Sequence, residues 1–434
     1  MKKIHFIGIA GVGMSALAQL LAREGARVTG SDNARFPTLD AVEKLGIPVV
    51  IGYRPENIPK DAKLVIYTDA AHPDNVERIE AKHRGIPEKS YFEMLGEVST
   101  GKRTIAVAGT HGKTTSTGML AKILKDAGAS PTAIVGSIVK DFNSNYLHGE
   151  SDWFVVEACE YRDHLLELSP QILVITNLEW DHTDYFPSLS ALQETFKKAI
   201  ERVPAKGAIV TDPHDKNIAP LLAVARAHVI DYTKEPEYKL RLPGEFNQNN
   251  ARAAAAAARV AYPSISDDAI RTSLASFQGT WRRFEYKGKT SKGADVYDDY
   301  AHHPTAVRVT LKTLREKVKG PPSLGVSAKR SKIVVAFHPH LYSRTRDLLD
   351  EFATAFKDAD RVLIAPIYAA REVDDDSISS EILAERIRAT GTEATALDFD
   401  AIEKELSEVE EGNTIMTKGA GDIYKVADAL EEKS

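Results

Sequence analysis

Two glycine loops constrain this chain more than any other feature. GIAGVG (8–13) follows the apolar stretch KIHFI and precedes Met14, Leu17, Ala18 and Leu21, spaced at i, i+3, i+4 and i+7. GTHGKTT (109–115) follows TIAVA and precedes a second run that reads as helix. A strand, a tight glycine turn and a helix open a βαβ unit, and backbone N–H groups at the helix start favour phosphate oxygens. A chain with two such cradles is expected to handle two phosphorylated molecules on parallel sheets.

The alternation of short apolar runs and helical stripes extends along the chain, and 434 residues allow roughly three domains at about 150 each. The first is expected over 1–98, with strands at Lys3–Ile7, Arg27–Gly30, near Val49–Ile51 and at Leu64–Thr68, and Gly25 ending the first helix. The second, 99–284, has strands at 104–108, 154–158, 172–177 and 207–211, and an alanine-rich helix at 252–261. The third, 285–434, has strands at 333–337, 361–366, 395–399 and 413–417, and KGKTSKGAD (287–295) reads as a hairpin turn. The fold class is therefore α/β in three domains: Rossmann-like at the N-terminus, P-loop-type in the centre, Rossmann-like again at the C-terminus.

Composition narrows the partners. A net charge of −6 argues against a nucleic-acid partner, which asks for a basic stripe. The single cysteine, Cys159, excludes an intrachain disulfide and a cysteine-based zinc site and suits the cytoplasm. Three glycines within residues 8–13 suit a loop better than the helix of a signal peptide. No run of about 18 apolar residues exists, so no membrane span is expected.

In the second loop Lys113 brings a point charge to phosphates and Thr114 a hydroxyl suited to Mg²⁺. Val107 stands where the full-length phosphate-loop spacing needs glycine, so this is a short variant. Glu157 ends one apolar run and His182 follows another, and ligands of open α/β sheets gather at the carboxyl ends of strands. Lys113, Glu157 and His182 are therefore expected on one edge, although a strand-end Glu or His standing alone is more often a capping or surface residue. In the first loop Ala10 replaces the middle glycine, and Asp32 stands where such folds set an acid near a ribose. These residues point to a nucleotide diphosphate and leave NAD open.

In this order the loops resemble those of the Mur ligases. GIAGVGMS, followed by GSD, is similar to the family's UDP-sugar loop, and GTHGKTT, with His111, to its ATP loop. EACEY (157–161) resembles the metal-binding E-A-x-E segment, and TNLEWDH (176–182) the segment whose histidine binds a second Mg²⁺. GTWRRFE (279–285), YDDYAHHPT (297–305), HPHLYSRTRD (338–347), IYAARE (367–372) and GAGDI (419–423) carry the likeness through the last third. Departures are Phe246 for a histidine, His338 for a glutamine, Arg371 for a glycine and Lys418 for a methionine. Arg371 and Lys418 are expected near the amino-acid pocket.

The resemblance implies an ATP-dependent ligase that joins L-alanine to the lactyl carboxylate of UDP-N-acetylmuramate through an acyl phosphate, with Mg²⁺ or Mn²⁺, in cytoplasmic peptidoglycan precursor synthesis. It assigns ATP to Gly109, Thr110, His111, Gly112, Lys113, Thr114, Thr115, Asn247, Asn250, Arg283 and Asp299. It assigns the UDP-sugar to Gly11, Val12, Gly13, Ser31, Asp32 and Thr68, and the amino acid to His340, Arg344, Arg346 and Tyr368. Metal falls to Thr114, Glu157 and His182, and catalysis to Lys113, His182 and Arg283. Metals are expected because phosphate and carboxylate repel: at a dielectric of about 20, unit charges about 4 Å apart cost about 4 kcal/mol, about three decades of rate. Rival readings are a related ligase taking a tripeptide, an NAD-dependent dehydrogenase, which leaves GTHGKTT unexplained, and a nonenzymatic ATP-binding scaffold. Monomer and homodimer are both open.

Overall fold

Strands covered by helices on both faces need near-continuous apolar sequence, and the runs KIHFI, RTIAVA, ILVI and IVVAF become such strands. The computed structural model describes residues 2–319, 331–370, 372–373 and 376–432. Its strands form three sheets, giving a three-domain α/β architecture.

The first sheet comprises β1 (Lys3–Ile7), β2 (Arg27–Asp32), β3 (Val49–Ile51), β4 (Leu64–Tyr67) and β5 (Glu88–Ser90). All its pairings are parallel, in the order β3-β2-β1-β4-β5. The chain reverses direction across the sheet beside β1, so the loop after β1 lies at a topological switch point, where such sheets bind ligands. The second sheet holds β6 (Arg103–Ala108), β7 (Thr132–Val139), β8 (Ser144–Leu147), β9 (Trp153–Glu157), β10 (Ile172–Ile175), β11 (Ala208–Thr211) and β12 (His228–Asp231). Its order is β12-β11-β10-β6-β9-β7-β8, with only the β7–β8 hairpin antiparallel. The loop after β6 runs into the helix Lys113–Asp126. The alanine-rich segment extends further than expected, as the helix Glu245–Ala261.

The third sheet contains β13 (Glu285–Lys289), β14 (Asp295–Asp299), β15 (Ile333–Phe337), β16 (Arg361–Ile364), β17 (Glu393–Ala396) and β18 (Thr414–Lys418). Its order is β13-β14-β18-β15-β16-β17, with β13 an antiparallel edge joined to β14 by the expected hairpin. Phe337, Phe352 and Phe356 pack on one another with no exposure. Each such ring contributes about 1.5–3 kcal/mol of burial.

By packing, the chain forms two compact units. One is Met1–Glu179, Leu189–Arg241 and Asn247–Thr280, and the other is Trp180–Ser188, Leu242–Phe246 and Trp281–Ser434. The first two sheets share the first unit. Their junction is polar and specific. The helix Val12–Arg23 packs on β7 and β8. Buried Asn145 donates from Nδ2 to the Val12 carbonyl and to Ser15 Oγ at 2.8 Å, and accepts from Gln19 Nε2 at 3.4 Å. Close by, the His164 ring stacks on Phe92 and sets Nε2 3.2 Å from Asp69. Among the described residues no helix is long and apolar enough to cross a membrane.

Removing the Asn145 amide leaves buried partners unmade, at a cost of about 1–3 kcal/mol. Asn145→Ala is expected to lower the free energy of unfolding by that amount, seen as a lower urea midpoint with an unchanged slope. An unaltered midpoint would mean this junction carries no stability.

Candidate active site

The first loop is built by what lies beneath it. Gly8 N and Ile9 N donate to the Ser31 carbonyl at 2.9 and 3.0 Å, and Gly11 N to Gly8 O at 3.2 Å. Asp32, expected near a ribose, instead accepts Ala10 N at 2.8 Å and Asn33 N at 2.7 Å, and is 5% exposed. Burial raises its pKa and these N–H groups oppose the rise. Ser31 Oγ donates to the buried Glu77 at 2.5 Å. Thr68 closes over Gly8, with its Cβ 3.2 Å from where a side chain there would begin. Gly13 is required by Tyr91, whose ring would stand 2.6 Å from a Cβ at 13. Ser31 and Asp32 thus hold the loop from behind, while Gly11, Val12 and Gly13 form its turn and helix start.

The second loop is braced by the strand end beside it. Thr110 Oγ1 donates to the Glu179 carbonyl at 3.0 Å and accepts Glu179 N at 2.8 Å. Asn177 accepts His111 N at 2.9 Å and donates to His111 O at 2.9 Å, and Thr176 Oγ1 donates to His111 O at 2.6 Å. His111 Nε2 lies 3.2 Å from Glu179. Gly112, at φ +82°, opens the helix and packs against buried Asn250, which lies beside Asn247 and Ser116. The Lys113 ammonium donates to Gly109 O at 2.5 Å, Thr110 O at 3.3 Å and Glu160 Oε1 at 2.9 Å. Burial alone would lower its pKa, but Glu160 above all keeps it raised. Thr114 Oγ1 donates to Glu157 Oε1 at 3.0 Å, and Thr115 is buried behind it. Lys113, Thr114 and Glu157 are thus brought together within the first unit.

His182 belongs to the second unit. It follows Asp181 with a left-handed φ of +53°, its N–H donating to Asp181 Oδ1 at 2.6 Å. Arg344, only 1% exposed, pairs with the same carboxylate at 2.8 Å and donates to His340 Nδ1 at 2.9 Å. Burial raises the Asp181 pKa, but Arg344, then His182 and His303, outweigh it and hold the carboxyl well below its usual range. Burial and then Arg344 keep His302 neutral. His340 lies 5.5 Å from the Tyr368 ring, which is 44% exposed, and Arg346 reaches Asp347 at 3.0 Å.

Of the two adjacent arginines, Arg282 is buried, donating to Asp298 at 2.8 Å, Gly421 O at 3.0 Å and Gly419 O at 2.6 Å. Arg283 lies over Tyr300, 4.7 Å from the ring centre. Asp299 is buried, accepting Lys418 Nζ at 2.7 Å and Phe284 N at 2.9 Å. Lys418, expected near the amino-acid pocket, is sealed in the interior with its ammonium also 2.5 Å from Thr310 Oγ1. Phe246 packs against the core of the second unit, as an apolar ring can and a histidine would not. Arg371 lies outside the described residues.

Sequence reasoning missed the bracing groups: Thr176, Asn177 and Glu179 under the second loop, Tyr91 on Gly13, and Glu160 on Lys113. The motif TNLEWDH contained three of them, but only its histidine was read as functional.

Comparison with known proteins places this geometry. Three family models match in order: Mur ligase family, catalytic domain (3–103); Mur ligase middle domain (107–239); and Mur ligase, glutamate ligase domain (282–421). The chain is 38% identical over 458 residues to a UDP-N-acetylmuramate–L-alanine ligase of Clostridium botulinum, covering 98% of this chain and 97% of the relative. The crystal structure of UDP-N-acetylmuramate-alanine ligase from Thermotoga maritima superposes with a TM-score of 0.81 at 28% identity, covering 100% of this chain and 99% of that one. A murein peptide ligase from Psychrobacter arcticus shares the fold, with a TM-score of 0.74 at 24% identity over 100% and 98% of the two chains.

Asp181 and Asp299 both have lowered pKa values. Their contribution to stability is therefore present above the unfolded carboxylate value of about 3.9 and is lost as pH falls through the lower folded values. Arg344→Met leaves Asp181 buried without its cation, at a cost of about 3–5 kcal/mol. Calorimetry from neutral to acid pH is expected to show a lower melting temperature for the variant near neutrality and a shallower acid decline. Parallel curves would contradict the assignment.

Proposed function

The chain belongs to the Mur ligase family, and on that premise we propose that it joins L-alanine to the lactyl carboxylate of UDP-N-acetylmuramate, converting ATP to ADP and phosphate. The observation that carries the reading is the cluster of Lys113 and Thr114, which open the helix after the second glycine loop, with Glu157 at the end of the neighbouring strand. Supporting it are relatives bearing that activity in their names across nearly the whole chain.

The carboxylate attacks the γ-phosphorus, ADP leaves, and the acyl phosphate then meets the alanine amine, releasing phosphate. Lys113 exchanges a carbonyl partner for phosphate oxygen and neutralises it. The N–H groups at the start of the helix Lys113–Asp126 receive the remaining phosphate charge. Thr114 and Glu157 offer hard oxygen donors 3.0 Å apart, a set that fits Mg²⁺, with Mn²⁺ as a substitute. When bound, the divalent ion offsets the repulsion between carboxylate and phosphate. In this reading His182 serves a second ion, and Asn247, Asn250, Arg283 and Asp299 serve the nucleotide side, Asn250 by packing against Gly112 and Asp299 by holding the Phe284 backbone. Gly11, Val12, Gly13 and Thr68 take the UDP-sugar, with Ser31 and Asp32 shaping that loop. His340, Arg346 and Tyr368 take the amino acid, with Arg344 fixing His340. The boundaries follow as 1–98 for UDP-sugar, 99–284 for ATP and 285–434 for the amino acid. This reading assigns the reaction to the cytoplasm.

Incubation with ATP, Mg²⁺, UDP-N-acetylmuramate and single amino acids is expected to yield a product heavier by one alanine residue. A product formed only with glycine, serine or a tripeptide would overturn the specificity. Lys113→Ala is expected to lower kcat by about 10²–10³ in a folded protein whose melting temperature falls, because Glu160 is left buried without its cation. Undiminished turnover would remove the loop from the mechanism.

A further inference from the structure

Glu157 is held from two sides. Its Oε1 accepts from Thr114 Oγ1 at 3.0 Å, and its Oε2 accepts from the backbone N–H of Gly136 at 2.7 Å. Gly136 lies in β7, which runs parallel to β9 with Ile134 opposite Val156, so its backbone passes beside the end of the Glu157 strand. Nothing in its backbone asks for glycine: it is absent from the residues with positive φ. Nothing in the core asks for it either, because it is exposed. A glycine inside a strand costs about 0.5–1 kcal/mol relative to alanine. What it supplies here is room. A Cβ at 136 would stand 2.6 Å from both Cδ and Oε1 of Glu157, and its three nearest atoms all belong to that carboxylate.

We infer that Gly136 is a positioning residue for the divalent cation of the ligase reaction: its N–H fixes one oxygen of Glu157, and its missing side chain reserves the volume in which the carboxylate stands. The inference rests on Glu157 being a cation ligand, as proposed above. Carboxylates that bind metals are themselves aimed by hydrogen bonds, and losing such a partner costs roughly 10–100-fold in metal affinity. The obstructed group is the free end of a flexible side chain. A methyl at 136 therefore displaces the carboxylate and leaves the fold intact.

The test is Gly136→Ala in the full chain, with Mn²⁺ as the probe in the presence of ADP, followed by the spin-resonance signal of the free ion. The expected result is Mn²⁺ binding weakened roughly 10–100-fold, with UDP-N-acetylmuramate binding and melting temperature unchanged. Glu157→Asp draws the carboxylate back from position 136. In the Glu157→Asp background, Gly136→Ala is therefore expected to weaken Mn²⁺ binding far less. Wild-type Mn²⁺ affinity in Gly136→Ala, full additivity of the two substitutions, or an unfolded Gly136→Ala protein would each overturn the inference. Wild-type affinity in Glu157→Ala would instead overturn the underlying assignment of Glu157, a distinguishable result.

Discussion

A half-buried lysine organises the central loop. Lys113 sits in a cage of two carbonyls of its own loop and the carboxylate of Glu160, which is 1% exposed. Burial pulls its pKa down, and Glu160 above all outweighs that and keeps it raised. In the proposed reading, this lysine is the group that meets phosphate. The remaining bracing follows from keeping the cage open: Thr176, Asn177 and Glu179 fix the Thr110 and His111 backbone, and Asn250 supports Gly112. The loop is therefore shaped before nucleotide arrives, so little of the binding energy goes into ordering it.

The second unit applies the same physics to a different end. Arg344 with Asp181, Arg282 with Asp298 and Lys418 with Asp299 are three cation–carboxylate pairs sealed from water. Such pairs contribute little net stability but penalise every arrangement that separates them. Each ties a chain segment: Arg344 holds the stretch beginning at Trp180, and Arg282 and Asp299 hold the turn before β13, where Arg282 and Phe284 both carry positive φ. This is why the substitution of lysine at 418 is compatible with the fold: its charge finds Asp299 and Thr310 rather than an empty apolar pocket.

Much of this was legible in the sequence, for physical reasons. Strands buried on both faces are continuous apolar runs, so Lys3–Ile7 and Ile333–Phe337 appear where the pattern placed them. β5 and the β7–β8 hairpin escaped notice, because Glu88–Ser90 is polar and β7 is interrupted by Gly136. Lys113, Thr114 and Glu157 lie together, as their places at a helix start and a strand end led the sequence reading to expect. Asp32 was in the right place with a different contact, since spacing fixes a residue's position along the chain and not the direction of its carboxylate. The pairing of Gly13 with Tyr91, and of Gly136 with Glu157, depends on atoms far apart in sequence and could be seen only in three dimensions.

The proposed chemistry depends on one step, the movement of phosphate onto the lactyl carboxylate. The most direct measurement supplies UDP-N-acetylmuramate whose lactyl carboxylate carries heavy oxygen, with ATP, a divalent cation and L-alanine, and weighs the phosphate released. The account predicts one heavy oxygen in each phosphate, since the attacking carboxylate oxygen stays bound to phosphorus. Phosphate carrying only ordinary oxygen, alongside normal product formation, would contradict it.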